Sequence, residues 1–124
     1  MSTQILAKFN RAVIQFIDEL IEQFPCEPDL VVARVMLNGQ IPVKDVMDMF
    51  IKTIEPCTQN IKNRDESFFL NEFKLVGNKH GDKLIKFKKI WTSEDIDSDD
   101  KDAIWRWMDL FVLITSSYTK SLKT

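Results

Sequence analysis

The last apolar segment of the chain, residues 103–118, constrains the fold more than any other stretch. It reads AIWRWMDLFVLITSSY, and it holds two of the three tryptophans and the uninterrupted apolar run at residues 110–114. A helix that is apolar on nearly all sides is usually buried on several of them. We therefore predict that this segment forms the central helix of a helical domain.

The size and composition of the chain fit a single domain. At 124 residues, with 44% hydrophobic and 29% charged residues, it can bury roughly two thirds of the surface that its unfolded form exposes. We predict one domain over residues 1–124, with a frayed tail at about residues 119–124. There is no apolar run near the ~18 residues of a membrane span, and we expect a soluble, non-secreted protein.

The first 24 residues carry a strong helical pattern. Apolar residues recur at spacings of three and four from about residue 3 to residue 23, which predicts an amphipathic helix. Pro25 closes it, because the residue before a proline is pushed out of the helical region. The predicted core stripe consists of Leu6, Phe9, Val13, Phe16 and Leu20.

Two further helices are indicated before residue 57. Pro28 suits the first turn of one helix, and Asn38 and Gly39 supply its C-terminal stop. Pro42 opens the next helix, which Pro56 ends or kinks. The sequence thus predicts three helices in its first half.

The second half begins with a polar connection at residues 58–64. Asp65 is a plausible N-cap for a fourth helix containing Phe68, Phe69, Leu70 and Phe73, and residues 77–81 form a loop by composition. Asp82 caps a predicted fifth helix with Leu84, Phe87 and Trp91 on one face.

The final helix follows an acidic run, residues 94–102. Asp97 or Ser98 can cap it, and the acids nearby favour its positive N-terminal end. Two apolar stripes require neighbours on two sides: Ile104, Trp107, Phe111, Ile114 and Tyr118 form one, and Trp105, Met108 and Val112 form the other. The predicted fold class is all-α, a compact single-domain bundle of five or six helices around a central C-terminal helix.

The sequence offers no convincing metal or thiol chemistry. Asp95, Asp97 and Asp99 match the first three ligand positions of an EF-hand loop, but Asp100 stands where glycine is needed and Arg106 where a glutamate is needed. The acidic run therefore reads as a solvated, helix-capping connection. We expect Cys26 and Cys57 to be small buried or semi-buried thiols in a reducing compartment, with a disulfide between them left open.

Catalytic patterns are equally absent. His80 is the only histidine, and no nucleophile or orienting partner accompanies it in the sequence. The three glycines match neither a P-loop nor a dinucleotide-binding fingerprint. We therefore predict that the protein is not an enzyme and holds neither a cofactor nor a metal ion.

The charges are divided between two adjacent segments. Residues 74–93 carry six lysines against one acid, and residues 94–102 carry six acids against one lysine. Lysines could bind phosphates and Phe87 or Trp91 could stack bases, but those rings fall on the apolar face and the net charge is -2. Docking of a complementary protein is favoured over nucleic acid. The candidate docking residues are Lys83, Lys86, Lys88, Lys89, Glu94, Asp95, Asp97, Asp99 and Asp100.

Two stretches carry a family resemblance: FIDELIEQFPCEPDL at residues 16–30 and IWRWMDLFVLI at residues 104–114. A helix ending in Phe-Pro before an acidic second helix, followed late in the chain by an Asp-rich connection into an Ile-Trp helix, resembles small helical proteins of the nucleocytoplasmic large DNA viruses, of the chlorella-virus and giant-virus type.

The resemblance implies a virally encoded, non-enzymatic protein. It would be a minor capsid protein or another virion component that contacts other virion or capsid proteins, located in the virion and in the host cell cytoplasm during assembly. A viral regulatory module that engages a host protein, and a nucleic-acid binder using the lysines of residues 74–89, remain alternatives. The resemblance transfers no functional residue, and self-association stays open.

Overall fold

The computed structural model of the protein describes residues 2–25, 27–67, 90–94 and 96–123. Helices account for 85% of the structure and no strand occurs among the described residues. The predicted all-α class is confirmed.

The helices follow one another with short connections. Their bounds are α1 Ser2–Gln23, α2 Pro28–Val35, a π-helical turn Met36–Gln40, α3 Val43–Ile54, a 3₁₀ turn Glu55–Cys57, α4 Thr58–Lys62 and α5 Ser98–Lys123. The first and third predicted helices are confirmed to within a residue or two. Pro28 lies in the first turn of α2, as its fixed φ favours.

The stop after α2 depends on a glycine. Gly39 has φ +98°, and the backbone N–H of Ile41 donates to the carbonyl of Met36 at 2.9 Å to close the turn. A Cβ atom at position 39 would meet no atom within 4 Å. The requirement for glycine is therefore conformational, and the predicted stop at Asn38 and Gly39 is confirmed.

Replacing Gly39 with alanine tests this conclusion. Because an L-residue with a Cβ is disfavoured at positive φ, we expect Gly39→Ala to lower the free energy of unfolding by about 1 kcal/mol. Gly39→Asn should cost less, since asparagine tolerates the left-handed region better. Urea unfolding followed by circular dichroism measures both, and equal losses would contradict the conformational explanation.

The polar connection expected at residues 58–64 is wrong in part, because α4 occupies Thr58–Lys62. Two contacts explain the helix. The Thr58 hydroxyl donates to the carbonyls of Ile54 and Glu55, at 3.2 and 3.1 Å, which carries the helical path past the 3₁₀ turn. Ile61 is buried, with 1% of its surface exposed, and gives this short polar segment an anchor in the core.

Aromatic rings from α1, α3 and α5 meet in the core. Phe9 and Phe16 of α1, Phe50 of α3 and Phe111 of α5 are all fully buried. Helix α5 packs against α1, α3 and α4. The two predicted stripes of α5 are confirmed, since all of their members are buried or half-buried.

Helix α5 continues through the C-terminal tail as far as Lys123. Tyr118 is buried, and the hydroxyls of Thr119 and Ser121 donate to the carbonyls of Thr115 and Tyr118, at 2.9 and 2.7 Å. The buried ring of Tyr118 and these two hydrogen bonds support the last two turns of the helix.

Several predictions fall outside the described residues: the fourth helix through Phe68 and Phe73, the loop at residues 77–81, the fifth helix from Asp82 to residue 89, and Cys26. Trp91, at the end of the predicted fifth helix, is helical and buried. Asp65 accepts hydrogen bonds from the backbone N–H and the hydroxyl of Ser67, at 3.0 and 2.8 Å. This is the geometry expected of an N-cap.

Candidate interaction surfaces

The acidic run caps α5 through a reciprocal pair of hydrogen bonds. The backbone N–H of Asp100 donates to the Asp97 carboxylate at 2.8 Å, and the backbone N–H of Asp97 donates to the Asp100 carboxylate at 3.1 Å. This arrangement is a capping box, in which two residues satisfy each other's free N–H groups. Of the two predicted caps, Asp97 rather than Ser98 is the N-cap residue.

Asp100 also ties the end of α1 to the start of α5. The side-chain amide of Gln23 donates to Asp100 Oδ2 at 3.0 Å. The side chains of Glu94, Asp97 and Asp99 are exposed and that of Asp100 is half-buried. The acidic end of α5 is thus both a structural cap and a surface of carboxylates.

The structure describes only part of the predicted docking set. Asp97 and Asp100 are engaged within the chain, whereas Glu94 and Asp99 lie at the surface near them. The remaining members, Lys83, Lys86, Lys88, Lys89 and Asp95, lie outside the described residues.

Removing the cap should weaken α5. We expect Asp97→Ala to lower the free energy of unfolding by about 1 kcal/mol, because the backbone N–H of Asp100 loses its partner. Asp99→Ala is the matched control, since it removes the same charge from the first turn without touching the capping box. Thermal unfolding of both variants measures the difference, and equal losses would show that charge alone acts here.

A groove lies between the C-terminal half of α1 and the N-terminal half of α5, and we name it the Trp107 groove. It consists of two adjoining cavities, of about 90 and 310 Å³, that share Glu19, Ala103 and Trp107. The indole of Trp107 is half-buried and stacks on Phe111, with ring centroids 5.9 Å apart. The other lining residues are Phe16, Leu20, Gln23, Phe24, Asp100, Ile104, Arg106 and Leu110.

The opposite edge of α5 holds a cluster of rings and charges around Trp105. Trp91 packs edge-on against Trp105, with centroids 5.4 Å apart. Lys101 Nζ lies 5.1 Å from the Trp91 ring, and the Arg64 guanidinium lies 5.5 Å from the Trp105 ring. Both distances suit cation–π attraction. Glu66 joins the cluster by accepting from Trp91 Nε1 at 2.9 Å.

Arg64, which follows α4, links that helix to α5 by a bidentate ion pair with Asp109. Its guanidinium donates to both carboxylate oxygens of Asp109, at 2.9 and 2.8 Å, and to the carbonyl of Ile61 at 3.1 Å. These hydrogen bonds raise the pKa of Arg64 and lower the pKa of Asp109. The side chains are 44% and 47% exposed, so solvent screens much of the attraction.

The backbone of Arg64 is unusual as well. Its φ is +56°, and it follows α4 at the position where glycine most often ends a helix. The backbone N–H of Asp65 donates to the carbonyl of Asn60 at 2.8 Å, and that of Arg64 to Ile61 at 3.1 Å, which is the Schellman pattern. A non-glycine residue in this conformation costs about 1 kcal/mol, which the side-chain contacts of Arg64 offset.

The Arg64–Asp109 pair predicts a specific pH dependence. Because the pKa of Asp109 is lowered in the folded protein, the pair contributes stability above the unfolded pKa, about 3.9, and loses it as pH falls through the folded pKa. A double-mutant cycle with Arg64→Met and Asp109→Asn should give a coupling of about 0.5–1 kcal/mol at pH 7. The coupling should decrease as pH falls below the unfolded pKa and Asp109 becomes protonated. A coupling that is unchanged at low pH would contradict this assignment.

A second groove, of about 250 Å³, lies between the end of α3 and the C-terminal half of α5. Its lining includes the hydroxyls of Thr58, Thr115 and Thr119. All three donate to backbone carbonyls one turn earlier, at 2.8 to 3.2 Å. Because these hydroxyls bond to the backbone of the chain itself, we assign no ligand to this groove.

Comparisons of the chain with protein-family models, with curated proteins and with solved structures give no significant match. Within the described ranges, no group of three or more His, Cys, Asp or Glu side chains is placed to hold a metal ion. None of the described helices is both long enough and apolar enough to cross a membrane.

Sequence reasoning did not find the contacts of Arg64, because position 64 carries no glycine to mark the end of a helix. One signal was available. Trp105 and Asp109 are four residues apart on a predicted helix, so they share a face, and a carboxylate beside an aromatic ring indicates a cationic partner. The sequence does not say which cation fills that place.

Proposed function

We propose that the chain is a non-enzymatic viral structural or assembly protein, a minor capsid or other virion component, that acts through contacts with other virion proteins. The viral part of the proposal comes from the resemblance of residues 16–30 and 104–114. The observation that best supports protein contacts is the apolar strip that α5 leaves toward solvent. Trp107 and Leu110 are half-buried there, and Leu113 is 66% exposed.

The described members of the proposed docking set lie at the start of the same helix. Glu94 and Asp99 are exposed near the start of α5, and Asp97 and Asp100 join them while also capping the helix. In this proposal the carboxylates steer a complementary partner and the apolar strip supplies the contact area. The lysines at 83, 86, 88 and 89 would provide a second, oppositely charged contact.

The finer architecture belongs to the same proposal. We infer five or six helices arranged around α5 as the central element. The packing of α5 against α1, α3 and α4 supports this arrangement. A virion location, with assembly in the host cytoplasm, follows from the proposed role.

A viral regulator that binds a host protein in a helical groove is the second candidate function. Trp105 and Phe111 are buried in the core, which argues against a groove lined by these two rings. The Trp107 groove, in contrast, supports the regulator hypothesis, because helix-in-groove recognition needs an open apolar channel. The nucleic-acid alternative rests on lysines outside the described residues, and a steeply salt-dependent mobility shift would favour it.

Mass spectrometry of purified virus particles tests the leading proposal. We expect the chain to keep a constant ratio to the major shell protein across gradient fractions and to survive protease treatment of intact particles. An abundant infected-cell protein of similar size serves as the control for contamination. Absence of the chain from particles, together with its presence in infected cells, would leave the regulator as the better hypothesis.

A further inference from the structure

We propose that the Trp107 groove is a docking site for a basic amphipathic helix of a partner protein. The inference deepens the proposed function, and it rests on that function only in requiring a protein partner. The groove provides what such a helix needs: an apolar floor, an acidic rim and sufficient length.

The floor is formed by side chains of α5 that follow one line along the helix. Ala103, Trp107 and Leu110 line the cavities, and Leu113 lies one turn further. Residues spaced by three and four share a helix face, so this line continues for about 15 Å, the length of a ten-residue helix. An exposed leucine at its end extends the apolar surface beyond the groove.

The rim is predominantly acidic. Glu19 stands on the α1 side and Asp100 closes the end of the groove. Asp99 is exposed one turn before Ala103, whereas Arg106 is the cation of the lining. The two lining carboxylates outnumber the one guanidinium, and Asp99 adds a further exposed carboxylate at the same end of α5. This balance favours a partner with lysine or arginine at the edges of its apolar face.

A second copy of the chain is a poorer occupant. Its own candidate basic helix would present the apolar face that ends at Trp91, but Trp91 is buried and bonded to Glu66. To offer that face, the chain would have to break the contacts of Trp91 with Trp105 and Lys101. A partner protein need not break these contacts.

The experiment titrates the full-length ¹⁵N-labelled chain with two designed 18-residue helical peptides. Both have the same leucine face, with flanking lysines in one and flanking glutamates in the other. We expect the lysine peptide to shift the indole Nε1–H resonance of Trp107 while those of Trp91 and Trp105 stay in place. The glutamate peptide should bind at least about tenfold more weakly. A Trp107→Phe variant assigns the resonance.

Paired surface variants locate the contact. Glu19→Lys should weaken binding of the lysine peptide by about fivefold or more, and Glu22→Lys, on the same helix but outside the lining, by less than about twofold. Leu113→Ser should also weaken binding, while Leu122→Ser, at a leucine of α5 that is 62% exposed, should not. The altered side chains are exposed, and circular dichroism verifies that each variant folds.

Three results would overturn the proposal: equal binding of both peptides, equal effects of Glu19→Lys and Glu22→Lys, or no shift of the Trp107 indole. Sedimentation of the free chain adds another, because a dimer that Leu113→Ser dissociates would assign the groove to a second copy. Peptide binding by a chain absent from virus particles would keep this inference and reject the virion role. Presence of the chain in particles without peptide binding would support the virion role and reject the docking site.

Discussion

The contacts of Phe111 hold the three longest helices of the described structure together. Its ring lies 5.2 Å from Phe50 on α3, and 6.2 and 5.5 Å from Phe9 and Phe16 on α1, all in edge-to-face geometry. Such pairs contribute about 0.5–1.5 kcal/mol each beyond the burial of their area. Because one ring of α5 meets α1 and α3 at the same point, the rotation of α5 about its axis is fixed there. The placement of every other side chain on α5 depends on this rotation.

The fixed rotation of α5 explains why its two tryptophans differ in burial and in the residues that they contact. Trp105 and Trp107 are two residues apart, so they point about 200° apart around the helix. With Phe111 in the core, Trp105 lies on the edge that meets Arg64, and Trp107 lies on the edge that meets α1. The Trp105 ring is covered by the Arg64 guanidinium and the Trp91 indole. The Trp107 ring keeps a solvent-facing side in the Trp107 groove. The two tryptophans therefore serve two interfaces, although only Arg106 separates them in the sequence.

The sequence predicted the elements whose signals are local. The helices at residues 2–23 and 43–54, the stop at Gly39 and the cap before α5 follow from apolar periodicity, proline, glycine and aspartate at known positions. The sequence did not predict α4, because Ile61 is a single apolar residue in a polar stretch and no apolar periodicity is visible there. The Trp107 groove was also not predicted, because a half-buried ring and a fully buried ring give the same spacing. Their difference depends on how closely α1 approaches α5, which Phe16 and Phe111 determine over a long sequence separation.

Arg64 shows how a local rule is set aside by long-range contacts. A glycine at position 64 would adopt the positive φ without strain. It would, however, remove the bidentate ion pair with Asp109 and the cation–π contact with Trp105. The same cluster includes Glu66 and Trp91, which precede and follow residues 68–89 and lie within hydrogen-bond distance of each other. Lys101 of α5 contacts both of them. Glu66 and Trp91 therefore meet on the edge of α5 that carries Trp105. The Arg64 cluster thus occupies one edge of α5, whereas Trp107 on the other edge contacts Phe16 of α1.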